Sequence, residues 1–134
     1  MTDQKPFPPK KEGRFYLSEG GTETEIMYKY GFELPQFAMF PLLDNPEAVS
    51  KMRGMYRRYL DVVAKHGMCA LIGGLDYRAS PDWGDLLGYS PEGLSEANHK
   101  SIAFLREVAD EYVSDIPEIL IQGLIGPRGD AYDR

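Results

Sequence analysis

Glu19 is the residue best placed for chemistry. It ends the apolar run Phe15-Tyr16-Leu17-Ser18 and is followed by Gly20-Gly21, which let the backbone turn sharply. A run of β-favouring residues predicts a buried strand, and Thr22 with Glu25 has the spacing of a capping box that opens a helix. A strand-turn-helix of this kind delivers a carboxylate to the strand's C-terminal mouth, where backbone N–H groups also point. In parallel α/β proteins ligands sit at such mouths. There a carboxylate can pair with a cation or take a proton. The pattern recurs twice, in Gly73-Gly74-Leu75-Asp76-Tyr77 and in Gly126-Pro127-Arg128-Gly129-Asp130.

The other reactive residue types have plainer explanations. Cys69 falls in the apolar run Met68–Leu75 and reads as a buried thiol, since a reactive cysteine needs an electropositive, accessible setting. His66 reads as a helix-end cation and His99 lies on a polar flank. Arg128-Gly129-Asp130 spells an integrin-binding tripeptide, a coincidence in an acidic chain.

The elements that must position these residues can be read in order. Residues 1–13, with three prolines and three lysines, read as a mobile leader, and residues 14–134 as the folded part. A short helix from Thr22 closes at Gly31, and the aromatic, proline-containing stretch 32–43 reads as an ordered loop. Asn45-Pro46-Glu47 starts a long helix that ends at Lys65-His66-Gly67. Its apolar face is Val49, Met52, Tyr56, Tyr59, Leu60 and Val63; Lys51, Arg53, Arg57 and Arg58 read as solvated. A second strand spans 68–75 and an irregular stretch follows through Gly88. A helix then runs from Pro91 or Ser95 to Tyr112, and a third strand covers 119–125.

Of the 134 residues 43% are hydrophobic and 27% charged, the balance of a globular domain with a real core. A formal net charge of −6 argues against a nucleic-acid binder, which needs clustered Lys and Arg. The single cysteine rules out an intrachain disulfide and makes the cytoplasm the simplest compartment. No apolar run approaches the roughly 20 residues that span a bilayer.

Strand, helix, strand, helix, strand, with nearly continuous apolar strands, predicts a parallel sheet. No dinucleotide fingerprint or Gly-Lys-Ser/Thr phosphate loop is present. The expectation is therefore α/β: the N-terminal portion of a TIM (β/α)8 barrel, about three strands with their helices, truncated after the third.

Four motifs, in this order and spacing, carry a resemblance. Glu19-Gly20-Gly21-Thr22-Glu23-Thr24-Glu25, Asn45-Pro46-Glu47, Tyr77-Arg78-Ala79-Ser80 and Gly126-Pro127-Arg128-Gly129-Asp130-Ala131-Tyr132 together resemble the N-terminal part of the homocysteine S-methyltransferase family. The resemblance implies a barrel that binds homocysteine at its mouth and transfers a methyl group from a methyl donor to the thiol, activated on zinc. It implies substrate-binding roles for Glu19, Gly20 and Gly21, which stand where the family usually has Asp-Gly-Gly, and for Asp76, Tyr77 and Gly126. Glu in place of Asp at 19 carries the carboxylate one methylene further out, and Gly73-Gly74 stand where threonine is common. The family's zinc-binding cysteines come from later strands, so the resemblance implies zinc without supplying its ligands here.

Two further readings stay open. One is a non-catalytic barrel piece with a small-molecule pocket, which associates with another chain through its open sheet edge. The other is a zinc-independent barrel enzyme with Glu19 or Asp76 as base.

Overall fold

Proline and asparagine fix where one of the two long helices begins. Asn45 Oδ1 accepts the N–H groups of Glu47 and Ala48 at 3.0 and 3.2 Å, and Pro46, which has no N–H to satisfy, takes the first turn. In the computed structural model, which describes residue 9 and residues 11–133, this helix is the second of four: α1 (Thr22–Tyr28), α2 (Pro46–Lys65), α3 (Pro81–Leu86) and α4 (Pro91–Asp110). The strands are β1 (Tyr16–Ser18), β2 (Cys69–Ile72) and β3 (Ile119–Ile121). They form one parallel sheet in the order β1-β2-β3, with Leu17 beside Ala70 and Ala70 beside Ile119. The architecture is α/β, and the crossovers carry the helices.

One face of the sheet is covered. Ala70, Ile72, Ile119 and Ile121 pack with Met52, Met55, Tyr56, Leu60 and Val63 of α2 and Phe104, Leu105 and Val108 of α4. Side chains alternate along a strand, so Leu71 and its neighbour Leu120 point to the other face, where both are only half-buried. Leu34, Met39, Leu42 and Leu43 of the aromatic loop close the end of the core. A smaller cluster of Ala38, Phe40 and Leu94 joins that loop to α4, with Phe40 edge-on to Tyr89 at 5.1 Å. The loop is ordered as expected, through two 3-10 turns at Pro35–Phe37 and Phe40–Asp44.

Five expectations change. β1 is not a buried strand: Phe15 is 72% exposed and Leu17 39%, because β1 lies at the sheet edge. Thr22 is not the N-cap. Gly21 holds that position with φ 61°, which places Thr22 one residue inside the helix, where its hydroxyl donates to Glu23 instead. The stretch after Pro81 is not irregular but forms α3, whose Gly84 sits so close to Leu94 that a Cβ would come within 2.9 Å of Leu94 Cδ2. The second strand stops at Ile72 rather than 75, and the third stops at Ile121, with Ile125 fully exposed. The basic face of α2 is largely solvated as expected and is also ion-paired: Arg53 with Glu107 and Glu111, Arg57 with Glu111, and Arg58 with Glu25.

The long amphipathic helices lie close to expectation, with the α4 cap at Ser90, whose Oγ accepts the Gly93 N–H at 3.0 Å. Gly31, at φ 75°, follows the first helix in a left-handed C-terminal turn: its N–H donates to Met27 O, the single bond of an αL motif, and the Phe32 N–H donates to Ile26 O. The expected leader, residues 1–13, lies largely outside the described residues. At its end Lys11 pairs with Glu118 at 2.8 Å, as Arg14 does at 2.7 Å. Among the described residues no helix is long and apolar enough to cross a membrane.

Candidate functional site

Each strand hands its chain to the same end of the sheet. The turn after β1 carries Glu19, Gly20 and Gly21; the segment after β2 carries Gly73 to Arg78; Gln122 to Leu124 follow β3. Together they surround a cleft of about 460 Å³ lined by Glu19, Gly20, Gly21, Gly74, Tyr77, Arg78 and Gln122, with Phe37 of the aromatic loop at its edge.

Glycine is required where the walls meet. A Cβ on Gly74, whose φ is 99°, would stand 3.8 Å from Glu19 Oε1 and 3.4 Å from Thr22 Oγ1. One on Gly73 would come within 2.7 Å of the Gln122 carbonyl oxygen. The Gly73 carbonyl accepts the buried Tyr56 hydroxyl, which ties the cleft floor to α2. Burial pushes the Tyr56 phenol well up, and the negative charge of Glu19 adds to this.

The Glu19 carboxylate is half-buried, and its Oε2 has no hydrogen-bond partner. Burial pushes its pKa above the ordinary glutamate value, against the lowering influence of its own backbone, the Gly73 backbone and the Gln122 side chain. A buried acceptor without a donor is costly and uncommon in folded proteins. A cationic donor bound in the cleft would relieve both the desolvation and the missing hydrogen bond.

The six residues singled out in the sequence do not all share this cleft. Glu19, Gly20, Gly21 and Tyr77 line it. Asp76 and Gly126 line a neighbouring cleft of about 440 Å³ with Ser80, Asn98 and Leu124; Tyr77 and Leu124 border both. Asp76 Oδ2 accepts the Leu124 N–H at 3.0 Å, which holds the β3 loop against the β2 loop, while Oδ1 has no partner. Gly126 is needed for close approach: a Cβ there would stand 2.2 Å from the Tyr77 carbonyl oxygen.

Several cleft residues had no assigned role in the sequence reading, among them Glu23, Leu124 and Tyr132 as well as the three that follow. Gln122 is the first polar residue after an apolar strand, a signal that could have marked it. Arg78 lay inside a quoted motif, two residues beyond Asp76, but nothing local says that it is buried. Phe37 reaches the cleft edge at 37% exposure, from a backbone with φ 58° next to Gln36 at φ 54°. Two successive non-glycine residues in the left-handed region are not foreseeable from residue type.

The described residues supply no zinc ligand set at this cleft. Among the described residues no three His, Cys, Asp or Glu side chains converge on a point that could hold a metal. Cys69 is buried at the opposite end of β2 from the mouth.

The chain matches no protein-family model, no curated protein and no solved structure.

Proposed function

We propose that the Glu19 cleft holds the amino acid end of a small thiol of the homocysteine type, as the substrate-binding part of a methyltransferase resembling the homocysteine S-methyltransferases. On this reading the three strands are the opening of a (β/α)8 barrel working in the cytoplasm. The observation that carries it is the unpartnered Oε2 of Glu19 at the strand mouth. The substrate ammonium donates to Glu19, Gly20 and Gly21 let the ligand approach the backbone, and Tyr77 forms a side wall. The thiol then lies toward the open side of the mouth, where a methyl donor can reach it.

The test is calorimetric titration of the protein with L-homocysteine, compared with Glu19→Gln. A hydrogen bond to a charged group contributes about 1.5–3 kcal/mol, so the variant should bind roughly ten- to a hundredfold more weakly while keeping its circular dichroism spectrum. Equal affinity in the two proteins would remove Glu19 from the site.

A second reading rests on the sheet itself. Parallel sheets are ordinarily covered on both faces, whereas here Leu71 and Leu120 are half-buried on the outer face and Phe15 is 72% exposed beside edge strand β1. That surface favours association with another chain, and sedimentation of the purified protein measures it. A monomer at all concentrations would leave the substrate-binding reading alone.

A further inference from the structure

Arg78 is the least expected residue in the cleft. Its side chain is only 4% exposed, yet Nε and Nη1 have no hydrogen-bond partner and Nη2 lies 3.8 Å from Asp130 Oδ1, beyond hydrogen-bond reach. The guanidinium is held from two sides. The Trp83 ring centroid is 3.9 Å from Cζ and the Tyr77 centroid 5.3 Å, and Trp83 is fixed by its indole N–H, which donates to the Pro127 carbonyl at 3.2 Å. Aromatic faces hold a guanidinium in place and compensate part of its charge, but they leave its N–H donors unused.

Buried arginine without an acceptor is expensive, and removal from water is tolerated when a partner anion completes the group. Among the described residues the one carboxylate that ion-pairs with it, Asp130, lies beyond hydrogen-bond reach and is itself 46% exposed. Nε and Nη1 are themselves covered, but the residue lines the open cleft, the side from which a ligand can approach the guanidinium.

We propose that Arg78 is the anion-binding residue of this cleft and takes the carboxylate of a small organic acid, with Trp83 and Tyr77 as its positioning clamp. The planar fork suits a carboxylate, which offers two oxygens to it. Combined with Glu19, it gives the cleft opposite charges for the two ends of an α-amino acid. That combination rests on the proposed function; the anion site itself does not.

Trp83 is the single tryptophan of the chain, so its fluorescence reports directly on the group stacked against it. The experiment titrates the full chain with sodium butyrate, with sodium chloride and butylammonium chloride as controls, and repeats it in Arg78→Lys. Butyrate carries neither thiol nor amine. The expected result is a saturable change in Trp83 emission with butyrate alone and at least tenfold weaker binding in Arg78→Lys, whose ammonium cannot reproduce the fork. No saturable change in the wild-type protein, or equal affinity in a folded variant, overturns the assignment. Should the variant fail to fold, the Arg78 Nε–H resonance of the wild-type protein decides: a saturating shift with butyrate supports the site and an unmoved signal overturns it. L-Norleucine separates the two proposals, because butyrate binding without tighter norleucine binding retains the Arg78 site while removing the ammonium role of Glu19.

Discussion

Arg53 and Arg57 on α2 and Arg78 behind β2 are opposites. The first two stand near solvent and are fully engaged: Arg53 at 2.8 and 3.3 Å from Glu107 and Glu111, Arg57 at 2.6 Å from Glu111. Arg78 is buried and makes no hydrogen bond at Nε or Nη1. Pairing is complete where it contributes little and missing where its absence costs most. The contrast extends to whole regions. Among the described residues, every buried side-chain polar atom without a partner lies in Glu19, Asp76, Arg78 or Ser80, all beyond the ends of β1 and β2, and none lies in the layer of α2 and α4. The helical layer holds the fold together, while the strand mouths carry polar groups whose demands the protein alone leaves unmet. That asymmetry is the support for proposing a ligand at the mouths.

The comparison breaks most visibly in the core. Leu60, fully buried between α2 and the sheet, should lose about 2–5 kcal/mol of stability on Leu60→Ala, read by urea unfolding, with butyrate affinity per folded molecule unchanged. A parallel loss of affinity would mean that layer and mouth are one cooperative unit.

Glu19 tests the mouth in the opposite direction. Its pKa is raised by burial, so its contribution to stability is present below the ordinary glutamate value and is lost as pH rises through the raised one. Glu19→Gln should therefore stabilise the protein at pH 7 relative to the wild type and gain little at pH 4, as urea midpoints at the two values would show. A destabilised variant at pH 7 would mean that the carboxylate already has a favourable partner.

The smallest effect is expected at the helix surface. Hydrogen bonding from Arg57 holds Glu111 below the usual carboxylate range, so its contribution is present above the ordinary value and disappears as pH falls through the lowered one. Glu111→Gln should give a slight loss at neutral pH that vanishes in acid and in 1 M salt. A loss as large as that of Leu60→Ala would overturn the view of this face as a weak surface network.

Much of the scaffold was legible because its signals are local. The Asn45-Pro46 start of α2 and the glycine at position 31 act within a few residues of themselves, and the apolar stripe of α2 repeats with the helix period. Thr22 shows where local signals mislead: the residue type was right for a cap, but Gly21 adopted the left-handed conformation and took the position. The same limit hid α3, whose proline start is followed by a glycine that reads as a breaker until Leu94 is seen packed against it.

The site divides in the same way. Glu19-Gly20-Gly21 and Asp76-Tyr77 could be placed at strand ends from the chain alone, since a run of apolar residues followed by glycines and an acid specifies its own geometry. Which of them share a cleft depends on how the three loops pack, and Tyr77 became a wall between two clefts only when Gly126 met its backbone. What the sequence by itself determined is the order of the strands and the long helices, the α/β class and the delivery of acids to strand mouths, because these follow from periodicity and turn chemistry over a few residues. Only the tertiary structure decided that Arg78 is buried against Trp83 and that Glu19 Oε2 is left without a donor, because burial and unmet hydrogen bonding are sums over neighbours distant in the chain.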